Sequence, residues 1–219
     1  MRTDVWQQLY TDLTLGVQAD QDSFAVALGD RQILLPIRKL PDGRGVASLI
    51  LNQAGFSVLD ALADAVAAGL HDYAPEVVVA VPTLGLPLAE AVARRLGHNR
   101  LVPLGYSRKF WYDEALSLPL SSITTPGGGK RLYIDPRMLA LLQGKRVVVV
   151  DDVLSSGASI ATVLKLMDIA GVAPLAVGAA MLQGDSWRGR LSLPVIGAFS
   201  TPILHQGAAG WAVSPQQSA

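Results

Sequence analysis

Residues 147–159 read Val147-Val148-Val149-Val150-Asp151-Asp152-Val153-Leu154-Ser155-Ser156-Gly157-Ala158-Ser159. Four consecutive β-branched residues predict a strand over 146–150 that is apolar on both faces, as in the middle of a parallel sheet. Two carboxylates stand at its carboxyl end, the edge where open α/β sheets bind ligands. Small residues follow, and a helical pattern occupies 158–170, with Ile160, Val163, Leu164 and Met167 on one face and Gly171 as its stop. Ser155, Ser156, Gly157, Ala158 and Ser159 therefore open a helix with several backbone N–H groups and three hydroxyls turned to one anion. The helix start adds its partial positive charge, and Gly157 permits a backbone approach that a side chain would obstruct. An ionised carboxylate only accepts hydrogen bonds. Asp151 and Asp152 beside a phosphate seat thus suit the vicinal diol of a sugar better than more phosphate.

Working outward, strand and helix patterns alternate. Leu59, Leu62, Val66 and Leu70 share a helical face, residues 76–81 form a buried-strand run, and 87–96 read as a helix stopped by Gly97. Short strands are expected at 101–104, 174–182 and 195–199. This alternation predicts an α/β fold, a mostly parallel twisted sheet flanked by helices. The first 57 residues differ. Apolar runs at 24–28, 31–37 and 46–51 are separated by Gly29-Asp30 and Pro41-Asp42-Gly43, turn signals that predict a small antiparallel meander. The expected organisation is a meander at 1–57, a core at 58–213 and a disordered tail at 214–219.

A second strand–turn–helix junction, Pro82-Thr83-Leu84-Gly85, lies at the same edge of the predicted sheet and presents N–H groups to an anion. The irregular segment 105–136 is too long for an idle connection in a compact domain. It and Arg137 carry the bases Arg108, Lys109, Lys130, Arg131 and Arg137, the aromatics Tyr106, Phe110, Trp111 and Tyr112, and Pro126-Gly127-Gly128-Gly129.

Composition narrows the classes. Half of the 219 residues are apolar and 16% are charged, enough for a sizeable core. The formal net charge is zero, which disfavours a nucleic-acid footprint. No cysteine is present, so disulfides and thiolate metal sites are excluded, and a reducing cytoplasm is allowed. His71, His98 and His205 lack metal-ligand spacing and read as structural. The uncharged stretch 191–213 is interrupted by prolines, glycines, His205 and Gln206, so no membrane span is expected. Residues 1–8 lack the apolar run of a signal peptide.

The thirteen-residue string resembles the signature of type I phosphoribosyltransferases: four apolar residues, two acids, two variable positions and a Ser/Thr/Gly loop. Within that family the chain is most similar to the adenine enzymes, with support from residues 82–89, 184–191 and 194–199. The resemblance spans about residues 55–204 and is densest in the phosphate loop. It implies that residues 155–159 hold the 5′-phosphate of phosphoribosyl pyrophosphate while Asp151 and Asp152 take its ribose hydroxyls. It places the pyrophosphate on Thr83, Leu84 and Gly85, at a turn that in the family often holds a strained peptide. It further implies a loop from 105–137 that closes over the site, with Arg108 and Lys109 reaching the leaving pyrophosphate and Asp152 beside the reacting sugar. Mg²⁺ would be held mainly through the substrate, with no direct metal residue. A homodimer and a cytoplasmic location are implied too. The N-terminal meander would serve as a hood over the base, and Trp187 reads as core.

Two departures stand out. Some purine-salvage relatives carry an aspartate general base where Ser155 stands, and adenine enzymes commonly carry a glutamate where Pro82 stands. The expected function is transfer of the phosphoribosyl group to a purine, adenine first. The alternatives are a non-catalytic sensor of phosphoribosyl pyrophosphate and a transferase for a non-purine base. A receiver or phosphatase pocket around the two aspartates is disfavoured by the serine-rich seat.

Overall fold

The computed structural model describes residues 3–120 and 130–213; the expected glycine-rich stretch at 126–129 and the expected tail at 214–219 lie outside them. The chain opens with β1 (Gly16–Val17), β2 (Ser23–Leu28), β3 (Arg31–Lys39) and β4 (Gly45–Ala47). It continues through α1 (Phe56–Leu70), β5 (Val77–Ala80), α2 (Gly85–Arg95) and β6 (Val102–Pro103). Next come β7 (Ser117–Pro119), β8 (Arg131–Tyr133), α3 (Leu139–Leu142), β9 (Val147–Leu154) and α4 (Ala158–Ile169). The last strands are β10 (Ala176–Gln183), β11 (Val195–Thr201), β12 (Ile203–Gly207) and β13 (Gly210–Val213).

The core is a five-stranded parallel sheet of order β11-β10-β9-β5-β6, as the alternating pattern predicts. The valine run supplies its central strand. Val148 and Val150 pack into one apolar cluster with Leu62 and Val66 of α1 and Leu88 and Val92 of α2. Val147 and Val149 point the other way, into a cluster with Ile160, Val163, Leu166 and Met167 of α4. Full burial is worth about 1.5–3 kcal/mol per valine, whereas strand propensity spans only about 1 kcal/mol. Burial on both faces therefore decides the strand.

The structure moves several expected boundaries. β9 runs on to Leu154, because the eight-residue β10 continues the ladder through Met181↔Val153 and Leu182↔Leu154. Asp151 and Asp152 are thus inside the strand rather than beyond it. On α4 Leu166 is buried and Leu164 only partly so; on α1 Val58 is buried and Leu59 partly so. The segment 105–136 is less irregular than expected. β7 and β8 pair within it, with Leu118 opposite Leu132, and Leu132 and Ile134 are fully buried.

The antiparallel meander is present but larger than the N-terminal residues alone. Its order is β1-β2-β3-β4-β12-β13, with Ile203 opposite Val46 and Leu204 opposite Gly45. The unit expected over 58–213 lends its last two strands to this sheet. The third apolar run, 46–51, yields only the short β4; Leu51–Gln53 turns into a 3-10 helix that leads toward α1. Among the described residues no helix is long and apolar enough to cross a membrane.

Candidate functional site

A cleft of about 660 Å³ opens at the carboxyl edge of the parallel sheet, beneath the antiparallel one. Its size suits a small molecule. Asp151, Asp152, Ser155, Ser156, Gly157, Ala158, Ser159, Thr83 and Leu84 all line it. A smaller hollow of about 400 Å³ is lined by residues of α1 and α2, and its charged residues Arg95 and Asp64 are paired with each other, Arg95 also with Asp60.

The turn before α4 is built by two constraints on one residue. Gly157 stands before α4 with φ +76°, a left-handed conformation that costs other residues about 1–2 kcal/mol. A Cβ there would lie 3.2 Å from the Cβ of Trp187. Trp187 is only 6% exposed and donates Nε1 to the Gly184 carbonyl at 3.0 Å, so the core role expected for it includes backing the turn. Ser186 Oγ donates to the Ser155 carbonyl at 3.2 Å, tying the same segment to the loop. No acidic side chain occupies the first turn of α4, so its positive end faces the cleft unneutralised by its own residues.

Asp151 is 6% exposed, Asp152 is half-buried, and the Asp152 amide donates to Asp151 Oδ1 at 2.8 Å. Burial pushes the Asp151 carboxyl well above the usual carboxylate range, and the charge of Asp152 pushes it further. Burial raises Asp152 as well. Asp151 holds its proton to the higher pH because it is deeper and faces its neighbour's charge. A pair in this state is one that incoming hydroxyl donors or a cation would stabilise in its ionised form.

The second turn packs directly onto this pair. Gly85 opens α2 and does not itself line the cleft. A Cβ on it would sit 2.9 Å from both Cα and Oδ1 of Asp151, so only glycine lets the start of α2 approach β9 this closely. The peptide between Pro82 and Thr83 is cis. Tyr106 Oη donates to the Pro82 carbonyl at 2.7 Å and braces the turn from the opposite wall. Its hydroxyl is pushed up to about 12, first by burial and then by the charges of Asp151 and Asp152, so it stays a donor at neutral pH.

Arg108 and Lys109 are not among the residues that line the cleft. Arg108 is half-exposed and paired with Glu114 at 2.6 Å. Their stretch is anchored through Trp111, whose Nε1 donates to Asp135 Oδ2 at 3.3 Å and whose ring lies under the Arg137 guanidinium. Lys130 is the base of the segment that lines the cleft, with its ammonium 5.4 Å from the Tyr106 ring centre. Sequence reading grouped Lys130 and Tyr106 with their neighbours and had no signal to single them out. Arg44 and Gln183, also in the lining, carried no signal at all.

The family model described as a phosphoribosyl transferase domain matches residues 50–192. The hypoxanthine/guanine phosphoribosyltransferase of Methanosalsum zhilinae is 34% identical over 95 residues, 43% of this chain and 45% of that protein. The orotate phosphoribosyltransferase of Halorhodospira halophila is 34% identical over 127 residues, 55% of this chain and 51% of that protein. The chain thus spans about half the length of the curated relatives it matches. In fold it is similar to the adenine phosphoribosyltransferase of Thermoanaerobacter pseudethanolicus, with a TM-score of 0.59 and 22% identity over 75% of this chain and 95% of that one.

Proposed function

Because the chain belongs to the phosphoribosyl transferase domain family, we propose that it moves the 5-phosphoribosyl group of phosphoribosyl pyrophosphate onto a nitrogenous base, a purine with adenine first. One observation carries this reading. Two strand–turn–helix junctions, 155–159 and 83–85, flank two adjacent carboxylates, Asp151 buried and Asp152 half-buried, at one edge of one sheet. That order suits a substrate with a phosphate at one end, a diol in the middle and a diphosphate at the other.

In this mechanism the amides and hydroxyls of residues 155–159 hold the 5′-phosphate, and Asp151 and Asp152 accept from the ribose hydroxyls. The Thr83–Gly85 turn receives the diphosphate. A ring nitrogen of the base attacks C1 of the sugar to form the N–C1 bond, the C1–O bond breaks, pyrophosphate departs with the bonding electrons, and the base gives up one ring N–H proton to solvent. Lys130, which lines the cleft beside Tyr106, would stabilise the charge that grows on the leaving group. Arg108 and Lys109 reach that charge only if their segment folds over the cleft. The Arg108–Glu114 pair that such closure would break is exposed, and exposed pairs contribute only about 0–1 kcal/mol. Closure would also exclude the water that otherwise hydrolyses the activated sugar.

The donor set of the cleft is oxygen-rich and suits Mg²⁺. No group of three or more His, Cys, Asp or Glu that could hold an ion exists among the described residues. Asp151 and Asp152 would meet the ion together with the substrate, and the ion when bound neutralises diphosphate charge.

Calorimetric titration with phosphoribosyl pyrophosphate and Mg²⁺, followed by pyrophosphate release across a panel of bases, tests the proposal. Saturable binding with release dependent on a base is the expected result. Absence of binding would overturn the site, and binding without release on any base would overturn the transfer.

A further inference from the structure

With the phosphate seat at 155–159 and the diphosphate turn at 83–85, the base is left the third corner of the cleft, between the end of β10 and the antiparallel sheet. Its walls there are apolar: Val46, Leu49, Met181 and Ile203. One buried polar side chain interrupts them. Gln183 alternates with Met181 on β10 and so faces the same side. It is 9% exposed, and its Nε2 donates to the Ala47 carbonyl of β4 at 2.9 Å. This bond joins the two sheets and fixes the amide's orientation. The Oε1 makes no hydrogen bond among the described residues, and it is not among their fully enclosed unpartnered atoms, which are His98 Nδ1 and Thr201 Oγ1. It is an acceptor left to the cleft.

The two cations of the cleft already have partners, though the pair that holds Arg44 is exposed and therefore weak. Arg44 is paired with Asp42 at 2.7 Å, and Lys130 lies over Tyr106 on the diphosphate side. A base bearing a carboxylate would have to draw Arg44 away from Asp42 to find a countercharge in this corner. The Ser48 hydroxyl, which also lines the cleft, can donate or accept and does not discriminate.

We infer that Gln183 Oε1 accepts a hydrogen bond from the exocyclic amine of the base and makes the site select a 6-aminopurine over a 6-oxopurine or a carboxylated pyrimidine. The inference rests on the phosphoribosyl-transfer reading above. A 6-oxopurine would turn a carbonyl toward Oε1, and two buried acceptors would face each other without a proton between them, the mismatch that polar sites reject most strongly.

The test needs no turnover. Calorimetry on the full chain compares adenosine, inosine and orotidine 5′-monophosphates with ribose 5-phosphate, for the wild type and for Gln183→Met, which keeps length and loses the acceptor. The wild type should bind the adenine nucleotide about tenfold or more tightly than the other two, the worth of one such hydrogen bond. In Gln183→Met that ratio should fall to within about threefold while ribose 5-phosphate affinity is retained. Equal binding of the three nucleotides by the wild type, or an undiminished ratio in the variant, overturns the assignment. If ribose 5-phosphate itself does not bind the wild type, the transfer reading falls and this one with it; if it binds and no preference exists, Gln183 alone is refuted. Should the variant fail to fold, the wild type is titrated with purine riboside 5′-monophosphate, which lacks the amine. It should bind about tenfold more weakly than the adenine nucleotide, and equal affinity overturns the inference.

Discussion

Replacing Gly157 with alanine strains the turn before α4, which lines the cleft. The backbone at 157 has φ +76°, and holding a residue with a Cβ in that conformation costs about 1–2 kcal/mol. The new methyl would also sit 3.2 Å from the Cβ and 3.4 Å from the Cα of Trp187, and 3.5 Å from Cδ of Arg190. The arginine carbon can give way, but the Trp187 backbone is held by the Arg190 and Leu191 amides that donate to its carbonyl. The turn must therefore shift by a few tenths of an ångström or unwind from φ +76°. A total of about 2 kcal/mol corresponds to a fall in Tm of roughly 4–8 °C for a chain of this size. The amides at the start of α4 lose their aim at the same time. Losing one hydrogen bond to a charged group, about 1.5–3 kcal/mol, should weaken ribose 5-phosphate binding roughly ten- to a hundredfold. Calorimetry at a temperature well below the lowered Tm separates the two effects. A folded Gly157→Ala protein that binds ribose 5-phosphate as tightly as the wild type would refute the seat at 155–159.

The carboxylate pair should show function opposing stability. Asp151→Asn with Asp152→Asn should weaken phosphoribosyl pyrophosphate binding by about 3 kcal/mol or more, while raising Tm at neutral pH. The sign follows from the raised carboxyls: below the ordinary aspartate range both states are protonated and no penalty exists, whereas at higher pH the unfolded chain ionises freely and the folded one resists. The wild type thus loses stability as pH rises out of that range, and the double variant should have a flatter profile; a variant less stable than the wild type at neutral pH contradicts this. Since ribose hydroxyls and Mg²⁺ favour the ionised pair, binding should release a proton and tighten with rising pH, detectable as a buffer-dependent binding enthalpy; identical enthalpies across buffers would contradict the coupling. Asp135 behaves in the reverse sense, because the Arg137 side chain holds its carboxyl down to about 2. Its contribution is complete above the ordinary aspartate range and is lost as pH falls through about 2, so Asp135→Asn should unfold at a higher pH in acid titrations followed by tryptophan fluorescence; an unshifted acid midpoint would count against it. Lys130→Ala and Lys109→Ala should each lower kcat more than substrate affinity, and a loss confined to affinity would remove the leaving-group role of the residue concerned.

The decisive elements are contiguous in the chain. The four valines, two aspartates and serine–glycine turn occupy thirteen successive residues, so the candidate seat they form was legible without tertiary contacts. The central strand was legible too, because a run apolar at every position can be satisfied only by burial on both faces. What could not be read depends on residues distant in sequence. Gln183 meets Ala47 across 136 positions, and Tyr106 meets Pro82 across 24. The pairing of β12 with β4 joins the two ends of the chain. The raised carboxyls of Asp151 and Asp152 belong to the same class, since burial is a property of packing and the sequence shows only that two acids are adjacent. The choice of Lys130 over Lys109 as the base lining the cleft was likewise made by the fold. Local sequence thus determined the turn and helix start at 155–159 that the proposal uses as a phosphate seat, because both are short-range objects. The tertiary structure decided which other residues line the cleft, because solvation and cross-sheet contacts are set only when distant segments meet.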